Sequence, residues 1–229
     1  MTGPALRASA DTTIAGAQSG VMPSGGLYFR GWRNTVKSSV DMDSSMLSTD
    51  PAFEASLGTD GGSATFDPQR SNFSVSVLVR PDAASSFPLG TWSPGGVSPN
   101  IAQKGLSNAT GGFWKVSLRM GGATSGTRYW YPFCTFKSGS TELKPGYSGA
   151  IYPLAANTSY QIICSKTLRS ATLQVRNLSG VQLFTQTLAA SVDLPIDNAY
   201  PVSVAHKPRS TDPRDCYAGT LANLSITKG

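Results

Sequence analysis

The strongest constraint on the fold is a series of short segments in which apolar and small polar residues alternate. The clearest runs from Phe73 to Arg80 and ends at Pro81 and Asp82, where a turn is expected. Further β-prone segments, separated by Gly, Ser and Pro, lie at 26–31, 34–40, 100–104, 112–119, 127–137, 159–165, 171–177, 181–187, 202–206 and 220–227. No helix longer than two turns is expected. The pattern predicts an all-β, antiparallel, two-sheet sandwich of the jelly-roll type.

Composition and charge exclude several classes of protein. With 229 residues the chain is long enough for one domain with a large core. Charged residues make up only 14%, and 24 Gly with 15 Pro indicate many turns, which excludes a helical bundle or a coiled coil. The net charge of +6 is scattered, so we expect no nucleic-acid partner. No apolar stretch is long enough for a membrane helix, and no membrane insertion is expected.

The chain divides into an arm and one domain. Residues 1–24 are rich in Ala, Ser, Thr and Gly and predict an extended N-terminal arm, whereas residues 25–229 predict a single β-domain. The arm lacks the apolar core of a secretory signal peptide. Either an export signal is missing from this sequence, or the protein leaves the cell by another route, such as lysis. Residues 41–70 form a long polar segment, predicted to be a functional loop or a covering flap with one helical turn at 51–56.

The order of the segments resembles a known family. Residues 27–31, 73–81, 100–105, 112–118, 160–166, 171–177, 201–205 and 217–226 together resemble the laminin-G-like, concanavalin-A-like jelly-roll family. The variant is similar to those common in actinobacteria and their phages, and residues 1–20 resemble the starts of phage minor tail proteins. The resemblance implies a concanavalin-A-like jelly roll with the arm attached.

The resemblance also bears on the three cysteines. It implies a disulfide between Cys134 and Cys164, with Cys216 left over. Two buried thiols are the alternative in a reducing cell.

Catalytic patterns are weak in this sequence. Glycoside hydrolases need two carboxylates about the scissile bond, but the two glutamates, Glu54 and Glu142, lie in separate loops, and the Glu-x-Asp-x-Glu pattern is absent. The single histidine, His206, has no Gly-x-Ser-x-Gly partner motif. A lyase site can be drawn from Arg128, Tyr129, Tyr131 and His206, but their spacing does not require it. We expect no catalytic residues and no enzyme.

Exposed aromatic and polar side chains are the stronger signal, because aromatic rings stack on sugars. The candidate glycan-binding residues are Trp92, Tyr129, Tyr131, His206, Asp212 and Asp215. Alternate residues of a strand face opposite sides, so either Trp130 is buried with both tyrosines outside, or the reverse. Packing within the core is the competing interpretation for each aromatic residue, and turn formation for Asp212 and Asp215.

No cofactor or metal is expected. One histidine and three dispersed cysteines do not provide zinc-ligand spacing. Calcium is a weaker alternative, through Asp41, Asp43, Asp60 and Asp67, but their spacing is not that of a calcium loop and solvation of the loop is preferred.

These observations lead to a functional hypothesis. The chain is predicted to be a non-catalytic recognition or structural module on a virion surface or outside the cell, as a minor tail or capsid decoration protein. It would dock on a protein assembly partner through its arm and bind host, environmental or cell-surface glycans. The first alternative is a secreted carbohydrate-binding domain of an actinobacterial cell-wall or polysaccharide-active protein. The second is a lyase or hydrolase with an unrecognised site.

Overall fold

The computed structural model describes residues 66–87, 89–90, 93–122, 126–200, 202–205, 207 and 212–229, together with four short strands nearer the N-terminus. Those four are β1 (Leu6–Ala8), β2 (Thr13–Ile14), β3 (Leu27–Arg30) and β4 (Val40–Met42). Ten more follow: β5 (Phe73–Pro81), β6 (Asn100–Lys104), β7 (Phe113–Gly122), β8 (Arg128–Ser138), β9 (Thr141–Leu143), β10 (Tyr160–Lys166), β11 (Ser170–Arg176), β12 (Gln182–Ala189), β13 (Val202–Val204) and β14 (Ala218–Lys228).

The strands form two antiparallel sheets. The larger sheet has the order β2-β1-β4-β13-β6-β7-β8-β9, and the smaller sheet has the order β12-β11-β10-β5-β14-β3. The described helical elements are three 3-10 turns, at Ala84–Ser86, Pro94–Gly96 and Pro213–Asp215. The predicted all-β, antiparallel, two-sheet fold is confirmed. Among the described residues, no helix is long and apolar enough to cross a bilayer.

The core lies between the sheets and follows from the alternation in the sequence. In β5, Val75, Val77 and Val79 are buried, while Ser76 and Leu78 between them are only partly covered. Trp114 and Val116 of β7 belong to the same apolar cluster from the larger sheet. Burial of this cluster is the main favourable contribution to folding.

A disulfide joins the two sheets through the middle of this core. Cys134 of β8 and Cys164 of β10, the pair implied by the family resemblance, are bonded, with their Cα atoms 5.8 Å apart. Both residues are fully buried. Cys216 is also buried and lies outside this disulfide. The covalent link therefore fixes the larger sheet, which carries the candidate site, to the smaller one.

The last strand contains an irregularity. Leu221 and Leu224 break strict alternation, yet both are buried in the core. The register of β14 against β5 shifts between Ala222 and Ser225, and Asn223 has a φ of 50°. This β-bulge turns both leucines to the same side of the sheet.

The N-terminal predictions are only partly within the described residues. Strands β1 and β2 lie inside the predicted arm, where they pair with each other, and β1 also pairs with β4 at one side of the larger sheet. The helical turn predicted at 51–56 and most of the 41–70 segment lie outside the described residues. The division into residues 1–24 and 25–229 remains a prediction.

Candidate functional site

The candidate site lies on the outer face of the larger sheet, away from the core. In β7 the residues that face the core alternate with Lys115, Ser117 and Arg119, which face outward. Their cross-strand partners in β8 are Thr135, Phe133 and Tyr131 respectively. The pleat of the sheet therefore brings cations of one strand beside aromatic rings of the next.

Seven side chains make up what we call the outer strip. They are Lys115, Arg119, Tyr129, Tyr131, Phe133, Lys144 and Tyr147. Phe133 is the buried member of the strip, whereas Tyr129 and Tyr147 are 43% and 42% exposed. The strip thus presents aromatic surface to solvent over a rigid base.

Arg119 lies between two aromatic rings. Its guanidinium carbon is 5.4 Å from the centre of the Tyr131 ring and 5.3 Å from that of Tyr147. Its Nε is buried and has no hydrogen-bond partner among the described residues. A guanidinium held in this way is stabilised by cation–π attraction and keeps donors for a further ligand.

Lys115 lies at the other end of the strip. Its Nζ is 4.9 Å from the centre of the Phe133 ring, and its side chain is half-buried. Burial lowers the pKa of Lys115 to about 8, and the charges of Lys144 and Lys207 add to this, while Asp215 and Glu142 act in the opposite direction. The amine therefore loses its charge at a mildly alkaline pH rather than near 10.5.

A network of hydrogen-bonded polar side chains lies beside the strip, in β6 and β7. The Ser117 hydroxyl donates to the Pro99 carbonyl at 2.9 Å, and Asn100 Nδ2 donates to Gln103 Oε1 at 2.6 Å. Asn100, Gln103 and Ser117 are all buried. Because their polar groups are satisfied within the network, the network holds β6 and β7 in fixed register.

Some predicted glycan-binding residues lie in the strip. Tyr129 and Tyr131 share the outer face, with ring centres 6.4 Å apart. Trp130 between them is buried, and its indole donates to the Asp82 carbonyl at 2.9 Å. Of the two arrangements left open by the sequence, the one with Trp130 in the core is therefore correct. Trp92 and His206 lie outside the described residues.

Asp212 and Asp215 lie in the segment that precedes β14. Asp212 forms a salt bridge with Arg214, and Asp215 approaches Lys207 with an N–O distance of 3.8 Å. The hydrogen bond from Arg214 holds the pKa of Asp212 below its usual value. Their carboxylates are partly neutralised by these cations, and the charge of Asp215 also acts to raise the pKa of Lys115.

Calcium binding receives no support from the described candidate. Asp67 is fully buried and pairs with Lys104 at 2.7 Å, so a lysine occupies the carboxylate oxygen that would bind a cation. Asp43 and Asp60 lie outside the described residues, and Asp41 is described only as part of β4. Within the described part of the chain, no group of three or more potential metal ligands occurs.

A shallow cavity lies on the opposite side of the molecule. It has a volume of about 230 Å³ on the smaller sheet and is lined by Ser76, Leu78, Gln161, Asn177, Leu178, Gly180 and Asn223. It contains neither an aromatic ring nor a charge. The outer strip is therefore the better candidate for a site that recognises sugars.

The sequence interpretation missed Lys115, Arg119, Lys144 and Tyr147. Lys115 and Arg119 are four residues apart, so two strand periods place them on one face. That signal was visible in the sequence. The stacking with Tyr131 was not, because it depends on the pairing register of β7 with β8.

Comparisons with known proteins find similarity of fold but not of sequence. No family model matches the chain, and no curated protein matches its sequence. Among solved structures, tailspike protein 2 of an Escherichia coli O157:H7 bacteriophage is similar over 100% of this chain and 26% of its own, with TM-score 0.59 and 10% identity. The enzymatically active domain of bacteriophage CBA120 tailspike protein 2 is similar over 100% and 29%, with TM-score 0.59 and 9% identity. The alginate lyase from Klebsiella pneumoniae is similar over 94% and 79%, with TM-score 0.48 and 11% identity.

The two tailspike likenesses support the β-sandwich fold. This chain spans between a quarter and a third of the length of the tailspike chains that it matches. The likeness at such low identity concerns the fold, which many functions share.

The expectation that the chain is not an enzyme is corrected by the same comparison. That expectation rested on missing hydrolase motifs. The fold, however, is shared with a tailspike domain described as enzymatically active. The absence of one motif pattern therefore does not make this fold non-catalytic, and the non-catalytic assignment is withdrawn.

Proposed function

We propose that this domain binds an acidic polysaccharide through the outer strip, as part of a protein on a virion surface or outside the cell. The observation that carries the proposal is the position of Arg119 between the rings of Tyr131 and Tyr147. An aromatic surface packs against the apolar faces of sugar rings, and a guanidinium recognises carboxylate groups with two parallel hydrogen bonds.

The distribution of charge favours an acidic ligand over a neutral one. Lys144 pairs with Glu142 at 2.8 Å, and Arg214 pairs with Asp212. Among the described residues, neither Lys115 nor Arg119 has a carboxylate within salt-bridge distance. These two cations are therefore available to a carboxylate of the ligand.

The virion or extracellular setting is supported by the shared fold and by the disulfide. The fold occurs in phage tailspike chains, which are larger than this one. Disulfides persist mainly outside reducing compartments. Within this proposal, residues 1–24, which include the strands β1 and β2, attach the domain to a protein of the larger particle.

A second candidate function is cleavage of the bound polysaccharide by β-elimination, favoured by the half-buried Lys115 of the strip. A neutral lysine amine can take the proton from the carbon next to a uronate carboxylate. The electrons form a carbon–carbon double bond and expel the glycosidic oxygen, which takes a proton from solvent. Release of an unsaturated product, measured by its ultraviolet absorbance, tests this candidate.

Binding is tested by calorimetric titration of the full chain with alginate, polygalacturonate and hyaluronan, and with neutral dextran for comparison. The proposal expects binding of at least one acidic polymer that persists at high salt, and no binding of dextran. Attraction that disappears completely at high salt would show only a general charge effect and would contradict the proposal.

A further inference from the structure

A second group of chemically reactive side chains lies inside the molecule, away from the outer strip. Lys104 at the end of β6, Asp67 before β5 and Asn198 before β13 meet in the interior. Lys104 and Asp67 are fully buried, and Asn198 is only 7% exposed. The Lys104 ammonium donates to Asp67 Oδ1 at 2.7 Å, to the Asn198 backbone carbonyl, and to Asn198 Oδ1 at 3.4 Å.

The side-chain amide of Asn198 is held in one orientation. Its Oδ1 accepts a hydrogen bond from the Tyr200 backbone N–H at 3.0 Å. Its Nδ2 donates to the Gly112 carbonyl at 3.1 Å. A side chain at Gly105 would meet this Nδ2 at 2.8 Å, so the glycine leaves the space that the amide fills. The side-chain amide of Asn198 is thus held beside the Lys104 nitrogen, with Oδ1 at 3.4 Å from Nζ.

Asp67 lies where it can transfer a proton between the Lys104 ammonium and the Asn198 side chain. Its Oδ1 also accepts the Asn198 backbone N–H at 3.2 Å, whereas its buried Oδ2 has no hydrogen-bond partner among the described residues. Burial raises the pKa of Asp67 to about 6, although the hydrogen bond and charge of Lys104 act to lower it. The desolvation that accompanies burial therefore makes Asp67 a stronger proton acceptor than an exposed carboxylate.

We propose that Lys104 and Asn198 form a covalent amide cross-link between Nζ and Cγ, with Asp67 as the proton-transfer group. Asp67 first takes a proton from the Lys104 ammonium. The neutral Nζ then attacks Cγ of Asn198, and the Tyr200 N–H stabilises the negative charge that develops on Oδ1. The bond between Cγ and Nδ2 breaks as Asp67 gives its proton to Nδ2, which leaves as ammonia. Asp67 then takes the surplus proton of Nζ, so that Nζ keeps one hydrogen in the new amide. No oxidant, reductant or second substrate is required.

The reaction would remove an unfavourable element of the structure. A lysine and an aspartate buried together carry a large desolvation cost, which their attraction does not always repay. The product is a neutral amide that fixes β6 to the segment preceding β13. Because the link closes a long loop, it would stabilise the domain by constraining the unfolded chain, as a disulfide does.

The test is the mass of the denatured, fully reduced chain. The expected result is a mass lower than that of the sequence by one molecule of ammonia, and a proteolytic fragment in which tandem mass spectrometry joins the Lys104 and Asn198 peptides. A chain with the full mass of the sequence would overturn the proposal. A loss of water with a link between Lys104 and Asp67 would also overturn it, because the acceptor would then be the wrong residue.

Variants separate this reaction from cyclisation of Asn198 with its own backbone, which also releases ammonia. Lys104→Arg and Asp67→Asn are expected to restore the full mass, and the readout does not require either variant to be stable, because the chain is denatured before measurement. Lys166→Arg is the matched control: Lys166 is also buried, but its ammonium donates to the backbone carbonyls of Gln69 and Ser71, so this variant should keep the cross-link. Ammonia loss that persists in Lys104→Arg would contradict the proposal.

Discussion

Arg119 and Tyr131 are cross-strand partners in β7 and β8, and the guanidinium carbon of Arg119 lies 5.4 Å from the centre of the Tyr131 ring. Directly paired residues of antiparallel strands keep their side chains close without a loop to position them. The arginine is therefore fixed before any ligand arrives. A site organised in this way binds without losing much side-chain entropy.

Removal of the Tyr131 ring should weaken binding of an acidic polysaccharide. We expect Tyr131→Ala to reduce affinity about 3- to 10-fold, because an aromatic contact contributes about 0.5–1.5 kcal/mol and because Arg119 loses one of its two supporting rings. Calorimetric titration measures the change. Tyr131→Phe keeps the ring and should retain most of the affinity; an equal loss in both variants would contradict stacking as the cause.

Binding should also weaken as the pH rises through the pKa of Lys115, about 8. Above this pH the amine loses the positive charge that attracts a carboxylate. Lys115→Arg stays charged in the same range, so its affinity should change little between about pH 7 and pH 9. Titrations across this range provide the measurement, and parallel pH profiles for the two proteins would exclude Lys115 from the site.

Lys115 should also make the stability of the folded chain depend on pH. The pKa of Lys115 is lower in the folded chain than its ordinary value of 10.5, so the unfolded chain binds more protons between these two pH values. The stability of the wild-type protein should therefore rise, relative to Lys115→Met, as the pH increases from about 8 towards 10.5. Urea unfolding at several pH values tests this, and a difference that stays constant with pH would contradict it.

The disulfide should account for a large part of the stability. Replacing Cys134 and Cys164 by alanine opens a link between residues 30 positions apart. We expect the free energy of unfolding to fall by about 4 kcal/mol through the greater entropy of the unfolded chain. Cys216→Ala is the control, since Cys216 is buried outside the disulfide. Denaturant titration measures both variants, and a similar loss in each would contradict a special role for the link.

A glycine before Tyr147 should matter for both stability and binding. Gly146 has a φ of +85°, and a Cβ there would approach the Pro132 carbonyl oxygen to 2.4 Å. Gly146→Ala should therefore move the segment that carries Tyr147 and lower the melting temperature. Gly139 also has a positive φ, but a Cβ there would meet open space, so Gly139→Ala carries only the backbone strain. A difference between the two variants in melting temperature and affinity is expected; equal effects would contradict the steric argument.

The strand content was predictable because alternation is a local property. The segment 73–80 reads directly as β5. Strand β9 was missed because Thr141–Leu143 is too short to show a period. Its existence depends on pairing with β8 across a tight turn.

The site was less predictable because it depends on pairing between distant segments. Tyr129 and Tyr131 could be named from their own strand, but the sequence could not show which side Trp130 faced. Asp67 resembled a polar loop residue until the fold brought it to Lys104, which is 37 positions away. A contact of this kind follows from topology rather than from local pattern.

The measurement that tests the central claim most directly is the affinity of Arg119→Ala for the acidic polysaccharide bound best by the wild-type chain. Arg169→Ala is the matched control, because Arg169 is an exposed arginine already paired with Asp193 outside the strip. We predict that Arg119→Ala loses affinity by about tenfold or more, since a charge-assisted hydrogen bond contributes about 1.5–3 kcal/mol, while Arg169→Ala binds as the wild type does. Equal affinity of the two variants, with both folded, would contradict the claim that the outer strip is the binding site.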